Sequence, residues 1–221
     1  MIKASHKKWA RFLFNPYCDW LLKRNFSQFL RVNNYPYLSP ELPLIITPNH
    51  ISWWDGFFID YLARRFIDRR GFILMLEEQL SRYWFFKKIG AFSIDPTHTK
   101  KITETVKYVH NLLHDPNNFV ILYPQGEIEP YEMRPLTLKR GLRLFLKETP
   151  EVQVLLVGFK IQYYNQKKPS LLVKFGETLS GIAITDDFKN YEDYFYDNLD
   201  SLSCAAFNKS WEEDMFGSNP V

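Results

Sequence analysis

The chain has 221 residues, of which 46% are hydrophobic and 17% aromatic, and a formal net charge of +3. That composition excludes a disordered chain, and the length suits one domain with a sizeable core. No run of about 18 apolar residues occurs, so no spanning helix is expected, and Cys18 and Cys204 alone make no disulfide framework.

The near-neutral total hides an uneven distribution. Residues 1–40 carry seven Lys or Arg against Asp19 alone, whereas residues 181–221 carry Lys189 and Lys209 against nine carboxylates. The chain reads as a single domain, 1–221, in three parts: a basic amphipathic helical head (1–40), an α/β core (41–180) and an acidic helical tail (181–221).

In the head, Lys7, Lys8, Arg11, Lys23 and Arg24 interleave with Trp9, Phe12, Leu13, Phe14, Trp20, Leu21 and Leu22. Pro16 is expected to split Lys3–Arg31 into two short helical pieces. The pattern suits the surface of an anionic bilayer, or a helix packed on the body with a solvated basic face. No nucleic-acid motif accompanies the charge, so nucleic acid is not expected as a partner. The basic start lacks the apolar run of a secretory leader, and none is expected. Asn33 to Pro43 is a connector rich in Pro and Asn.

Leu44-Ile45-Ile46-Thr47 predicts a strand, and an amphipathic helix follows from about Ser52 to Phe66. Between them stands Asn49-His50-Ile51-Ser52-Trp53-Trp54-Asp55. Positions five apart in one regular helix diverge by about 140° around its axis. His50 therefore precedes the helix, and Asp55 on its first turns reaches back to the imidazole. A carboxylate there fixes the tautomer and leaves the other ring nitrogen free to take a proton. A buried histidine bonded to a helix-capping aspartate has the same spacing.

Gly71 to Leu76 is a continuous apolar run suited to a buried strand. Trp84, Phe85 and Phe86 then stand beside Lys87 and Lys88, and Gly90-Ala91-Phe92-Ser93-Ile94-Asp95 follows. Thr97 to His114 has Ile102, Val106, Val109, Leu112 and Leu113 at helical spacing and ends at Asp115-Pro116. His98, His110 and His114 lie on or beside this helix as surface histidines. No Cys/His pattern supports a zinc site, and no metal is expected. Phe119 to Tyr123 is a further buried strand, delivering Pro124-Gln125-Gly126-Glu127 into a loop. Leu138-Lys139-Arg140-Gly141 opens a helix through residue 147. Val152–Tyr164 and Leu171–Leu179 pair as strands about the turn Asn165 to Pro169. The tail from Asp186 predicts one or two helices on the body. Strands and helices alternate from 43 to 150, which argues an α/β fold: a mostly parallel central sheet flanked by helices, with an N-terminal amphipathic helical segment.

His50-x4-Asp55 resembles the first motif of the glycerolipid acyltransferase superfamily, whose members acylate glycerol-3-phosphate, lysophosphatidate and related acceptors. Gly90 to Asp95 resembles its second motif, with Pro96 where the family has Arg and Glu77 or Glu78 near the place of a usual lysine. Tyr123 to Glu127 resembles the third, usually Phe-Pro-Glu-Gly-Thr-Arg. Here Gln125 replaces Glu, Glu127 replaces Thr and Ile128 takes the Arg position. Leu138 to Gly141 is similar to a following Phe-Lys-x-Gly stretch. Leu156-Val157-Gly158 lies in a strand similar to the fourth motif without its proline, and Val173 to Glu177 resembles the closing strand.

The resemblance covers about residues 43–180. It implies a catalytic core that moves a fatty acyl group from an acyl thioester to a hydroxyl of a lipid acceptor, with His50 as general base oriented by Asp55. It implies substrate contacts from Gly90, Asp95, Tyr123, Pro124, Gln125, Gly126 and Glu127. Arg134 and Lys139 are the nearby cations for an anionic group. No cofactor is implied, since acyl-CoA or acyl-carrier protein serves as co-substrate. No Gly-x-Ser-x-Gly or reactive cysteine motif is present, so direct transfer is the simpler route. Backbone N–H groups near Gly126, or at the start of the helix after His50, are candidates to bind the oxyanion.

Pro96 and Ile128 carry no guanidinium, so the expected acceptor is a lipid without a phosphomonoester, whether a lipid alcohol, a glycolipid or a lipoamino acid. Three alternatives stay open. One is a lysophosphatidate acyltransferase whose phosphate site has moved to Arg134 or Lys139. Another is a thioesterase using the same base on water. The third is a catalytically silent membrane-binding module. With the basic head, the expected location is the cytoplasmic face of a membrane, as a peripheral or monotopic protein.

Overall fold

Strands that are apolar on both faces must be covered on both sides, and this chain covers them with helices. The computed structural model describes residues 1–217. In chain order the elements are α1 (Lys8–Asn25), β1 (Gln28–Arg31), β2 (Leu44–Pro48), α2 (Asp55–Phe66), β3 (Arg70–Leu76), α3 (Glu77–Arg82), a 3₁₀ helix (Trp84–Ile89), β4 (Ala91–Ile94) and α4 (Thr99–Leu113). They continue with β5 (Asn118–Ile121), α5 (Leu142–Glu148), β6 (Gln153–Gln162), β7 (Ser170–Ser180), α6 (Gly181–Asp186), α7 (Phe188–Asn208) and β8 (Glu213–Asp214).

The eight strands form one sheet in the order β4-β3-β5-β2-β6-β7-β1-β8. The pairs from β4 across to β6 are parallel, β6 and β7 are antiparallel, β1 runs parallel to β7, and β8 is antiparallel to β1. The mostly parallel sheet flanked by helices matches the expectation. Alternation along the strands feeds two cores. Ile45, Val120, Val154 and Leu156 face α4, α5 and α7, while Leu44, Ile46, Phe119 and Leu155 face α1 and α2.

The head departs from its sequence reading in two ways. Pro16 does not split it, because α1 runs unbroken from Lys8 to Asn25 with Pro16 inside. A mid-helix proline removes one backbone hydrogen bond and costs about 3 kcal/mol. Burial of Ala10, Phe14, Cys18 and Leu22, four residues apart on one face, offsets that cost. Arg11 also pairs with Asp60, and Asp19 with Arg64 and Arg65, so α1 is clamped onto α2 at both sides of the proline. The second departure is β1, which makes the end of the head a strand rather than helix. In the tail, α6 and α7 match the expectation and β8 adds a short strand. Residues 218–221 of the tail lie outside the described residues.

Gly90 joins the 3₁₀ helix to β4 at φ +115°, and a Cβ there would stand 2.4 Å from the Gly71 carbonyl oxygen. Only glycine fits, because both the left-handed backbone and the close approach exclude a side chain.

Candidate active site

β2 ends between β5 and β6, and the chain must then turn into α2. Asn49 secures the turn to β6. Its side-chain oxygen accepts from the Phe159 N–H at 2.7 Å, and its amide donates to the Phe159 carbonyl at 2.9 Å. Asp55, the first residue of α2, closes the turn from the other side. Its Oδ2 accepts from the N–H of Ile51 at 2.6 Å and of Ser52 at 2.9 Å, and its Oδ1 accepts from the Ser52 hydroxyl at 2.7 Å. These bonds satisfy N–H groups of the turn that precedes the helix.

The same Oδ2 lies 2.8 Å from Nδ1 of His50, and the Asp55 side chain is wholly buried. A carboxylate partner places the proton on Nδ1, so Nε2 presents its lone pair. The imidazole stacks on the Tyr123 ring at 4.3 Å between centroids and 26° between planes. The Tyr123 hydroxyl is buried without a partner among the described residues, and burial, aided by the Asp55 charge, pushes its pKa well above the usual tyrosine value.

The loop after β5 holds His50 by its backbone. The Gln125 side-chain oxygen accepts from the His50 N–H at 2.6 Å, and the Gln125 side-chain amide donates to the Glu129 carboxylate at 2.8 Å. The Glu129 N–H donates to the His50 carbonyl at 2.9 Å. Gly126 turns this loop at φ +73°.

His50, Tyr123, Gly126, Glu127 and Ile128 line one side of a cavity of about 790 Å³. Every residue of β3 from Arg70 to Leu76 also lines it, so the cavity extends along that strand, about 20 Å at 3.3 Å per residue. Phe14, Phe57, Ile59, Ala63, Ile67 and Phe72 make much of its wall apolar. Its arginines lie away from His50. Arg11 is tied to Asp60 and the Ile89 carbonyl, and Arg64, Arg69 and Arg70 stand at the far ends of α2 and β3.

His50, Asp55, Tyr123, Gly126 and Glu127 are thus brought together as the sequence predicts. The other expected contacts are not. Gln125 is fully buried and both ends of its amide are taken by protein groups, so it faces the His50 backbone rather than the cavity. Pro124 is buried behind the loop. Gly90 acts through its backbone at the strand entrance. The Asp95 carboxylate is engaged by Thr97, Lys101 and His98. The Thr97 hydroxyl first, and Lys101 next, hold it well below the usual carboxylate pKa. Arg134 bonds to Asp200 on α7 and to the carbonyls of Tyr131 and Met133. Lys139 lies at the rim, its side chain beside Gly126 and its ammonium 3.0 Å from the Glu127 carboxylate. Sequence reading missed Asn49, Ser52 and Glu129. Ser52, three residues before Asp55, carried a capping signal; Glu129 carried none.

Residues 29–157 match the model of a family described as Acyltransferase. A search of curated proteins gives no match. Among solved structures, the crystal structure of the 1-acyl-sn-glycerophosphate (LPA) acyltransferase PlsC from Thermotoga maritima is similar in fold. The TM-score is 0.60 with 16% identity, over 90% of this chain and 81% of that one.

Proposed function

The chain belongs to the acyltransferase family, and from that premise we propose an O-acyltransferase that moves a fatty acyl group from a thioester to a hydroxyl of a lipid acceptor, with His50 as general base. The observation that carries this reading is the 2.8 Å contact of His50 Nδ1 with the buried Asp55 carboxylate, on the wall of a long apolar cavity.

An alcohol is barely ionised at neutral pH. As its oxygen attacks the thioester carbonyl, His50 Nε2 takes the hydroxyl proton, which is worth roughly 10²–10⁴ in rate. The C–O bond forms and an oxyanion develops. The C–S bond then breaks, and the departing thiolate takes the proton from the imidazolium. Asp55 holds the ring and offsets its transient charge. The N–H groups of Ile51 and Ser52 are occupied by Asp55, and that of Gly126 by the Tyr123 carbonyl. Those of Glu127 and Ile128 in the loop, and of Trp53 and Gly56 at the start of α2, belong to residues that line the cavity and are the oxyanion candidates. The donor is acyl-CoA or acyl-carrier protein.

The cavity supports a long saturated chain. With bonds of about 1.5 Å near tetrahedral angles, an extended alkyl chain advances about 1.25 Å per carbon, so about 20 Å takes roughly 16 carbons. Each buried methylene stabilises the complex by about 0.8 kcal/mol. The lack of lining cations near His50 favours an acceptor without a phosphomonoester. The solved neighbour is named for a lysophosphatidate activity, which favours a second reading with a moved phosphate site. Arg134, bonded to α7, gives that reading no support; Lys139 at the rim remains available to it. The test is kcat/KM for a lipid alcohol against lysophosphatidate with one acyl donor. A tenfold preference for the alcohol, about 1.4 kcal/mol, supports the first reading. A preference for lysophosphatidate that Lys139→Ala abolishes supports the second.

The outer face of α1 supports peripheral attachment at a cytoplasmic membrane surface. Trp9, Phe12, Leu13, Tyr17 and Trp20 are exposed there, and Trp53 and Trp84 extend the patch beside the cavity. The Lys88 ammonium lies 4.6 Å from the Trp9 ring and 4.5 Å from that of Trp84. Aromatic rings backed by cations suit an anionic bilayer interface. Replacing Phe12 and Trp20 by serine should weaken binding to anionic vesicles; undiminished binding would reject this role.

A further inference from the structure

We propose that Gln125 and Glu129 form a positioning pair for His50, and that the identities of the two side chains are interdependent. The inference rests on the reading of His50 as base. His50 leaves β2 on an irregular turn, where nothing in the sheet ladder fixes its backbone. The loop after β5 supplies that restraint across 75 residues of sequence. Gln125 accepts from the His50 N–H at 2.6 Å, and Glu129 donates its own N–H to the His50 carbonyl at 2.9 Å. The link between Gln125 and Glu129, at 2.8 Å, locks these two grips together.

Position 125 has to accept on one side and donate on the other. An amide does both. A carboxylate accepts from the His50 N–H equally well but has no proton for Glu129, and two carboxylates would then meet at hydrogen-bond distance. Both side chains are buried, Gln125 fully and Glu129 to within 6%, so solvent screens little of that repulsion. Conversely, a carboxylate at 125 is acceptable if 129 carries the amide, because the grip on the His50 N–H and the 125–129 bond then survive, the latter with donor and acceptor exchanged, and only the long 3.4 Å contact from residue 125 to the His50 carbonyl is lost. Neither side chain lines the cavity, so the pair acts on the geometry of His50 and not on substrate.

The experiment exchanges the two residues. Gln125→Glu alone should lower kcat by at least about tenfold with little change in KM, since the buried contact with Glu129 is then unmatched. Gln125→Met, which has no charge and similar size, should do the same and covers the case in which Gln125→Glu does not fold. The double variant Gln125→Glu/Glu129→Gln should return kcat to within a few-fold of the parent. The NMR signal of the His50 Nδ1 proton should move in either single variant and return in the double. The proposal is overturned if the double variant is no better than Gln125→Glu, or if Gln125→Met leaves both kcat and the proton signal unchanged. If the double variant restores the proton signal while His50→Ala retains full transfer, the pair stands and the base assignment falls.

Discussion

The β2–α2 and β4–α4 junctions each bring a histidine to an aspartate, His50 to Asp55 at 2.8 Å and His98 to Asp95 at 2.9 Å. Their surroundings differ. Asp55 is wholly buried and its histidine stacks on Tyr123 beside a cavity, whereas the His98 side chain is 66% exposed. Asp55 spends its remaining bonds on the backbone turn that carries His50, so it orients the residue it polarises. Asp95 spends its bonds on Thr97 and Lys101, groups that pin the start of α4. A hydrogen-bonded His–Asp pair is therefore common to both; enclosure and a cavity wall belong to one.

The largest expected effect tests that contrast directly. His50→Ala should reduce acyl transfer by roughly 10²–10⁴, and Asp55→Asn by several orders of magnitude through loss of tautomer control. The corresponding His98→Ala and Asp95→Asn should leave turnover at the parental level. The measurement is acceptor-dependent thiol release by folded, purified variants. An equal loss at both junctions would erase the distinction.

A medium effect concerns stability and pH. The folded pKa of Asp95 lies below its unfolded value, so its stabilising contribution is complete above the ordinary aspartate value of about 3.9 and fades as pH falls below it. The melting temperature of the parent should exceed that of Asp95→Asn at pH 6, with the gap closing in acid. A gap that widens in acid would contradict the assigned shift.

The smallest expected effect is at Tyr123. Its hydroxyl is buried without a partner among the described residues, so Tyr123→Phe removes an unsatisfied group while keeping the ring on His50. The variant should be as stable as the parent or slightly more so, with turnover within a few-fold. A large fall in kcat would assign the hydroxyl a role toward the reacting atoms.

Much of the core was legible because continuous apolar runs and 3.6-period helices follow each other from Leu44 to Glu148. The His50–Asp55 contact was legible because the two residues are five apart and local geometry decides whether they meet. Asp95 misled, since its motif position suggested substrate while the local Asp-Pro-Thr-His turn consumes its carboxylate. Gln125 misled for another reason: its partner is a backbone 75 residues away, which no local pattern encodes. β1 was hidden because four residues after an amphipathic helix carry too little periodicity, and its partners lie near residues 170 and 214. Pro16 failed as a helix breaker because tertiary burial outweighed a local penalty.

β1 has one more consequence. It lies along β7, which without it would present residues Ser170–Val173 as an open sheet margin. Unpaired N–H and C=O groups on such a margin are a template for self-association. The segment whose aromatic side chains stand exposed on α1 thus also ends as a guard on the sheet. Truncation at residue 31 would strip the exposed aromatics and β1 at once and invite aggregation, whereas point changes on the outer face of α1 test the proposed membrane contact and leave β1 in place.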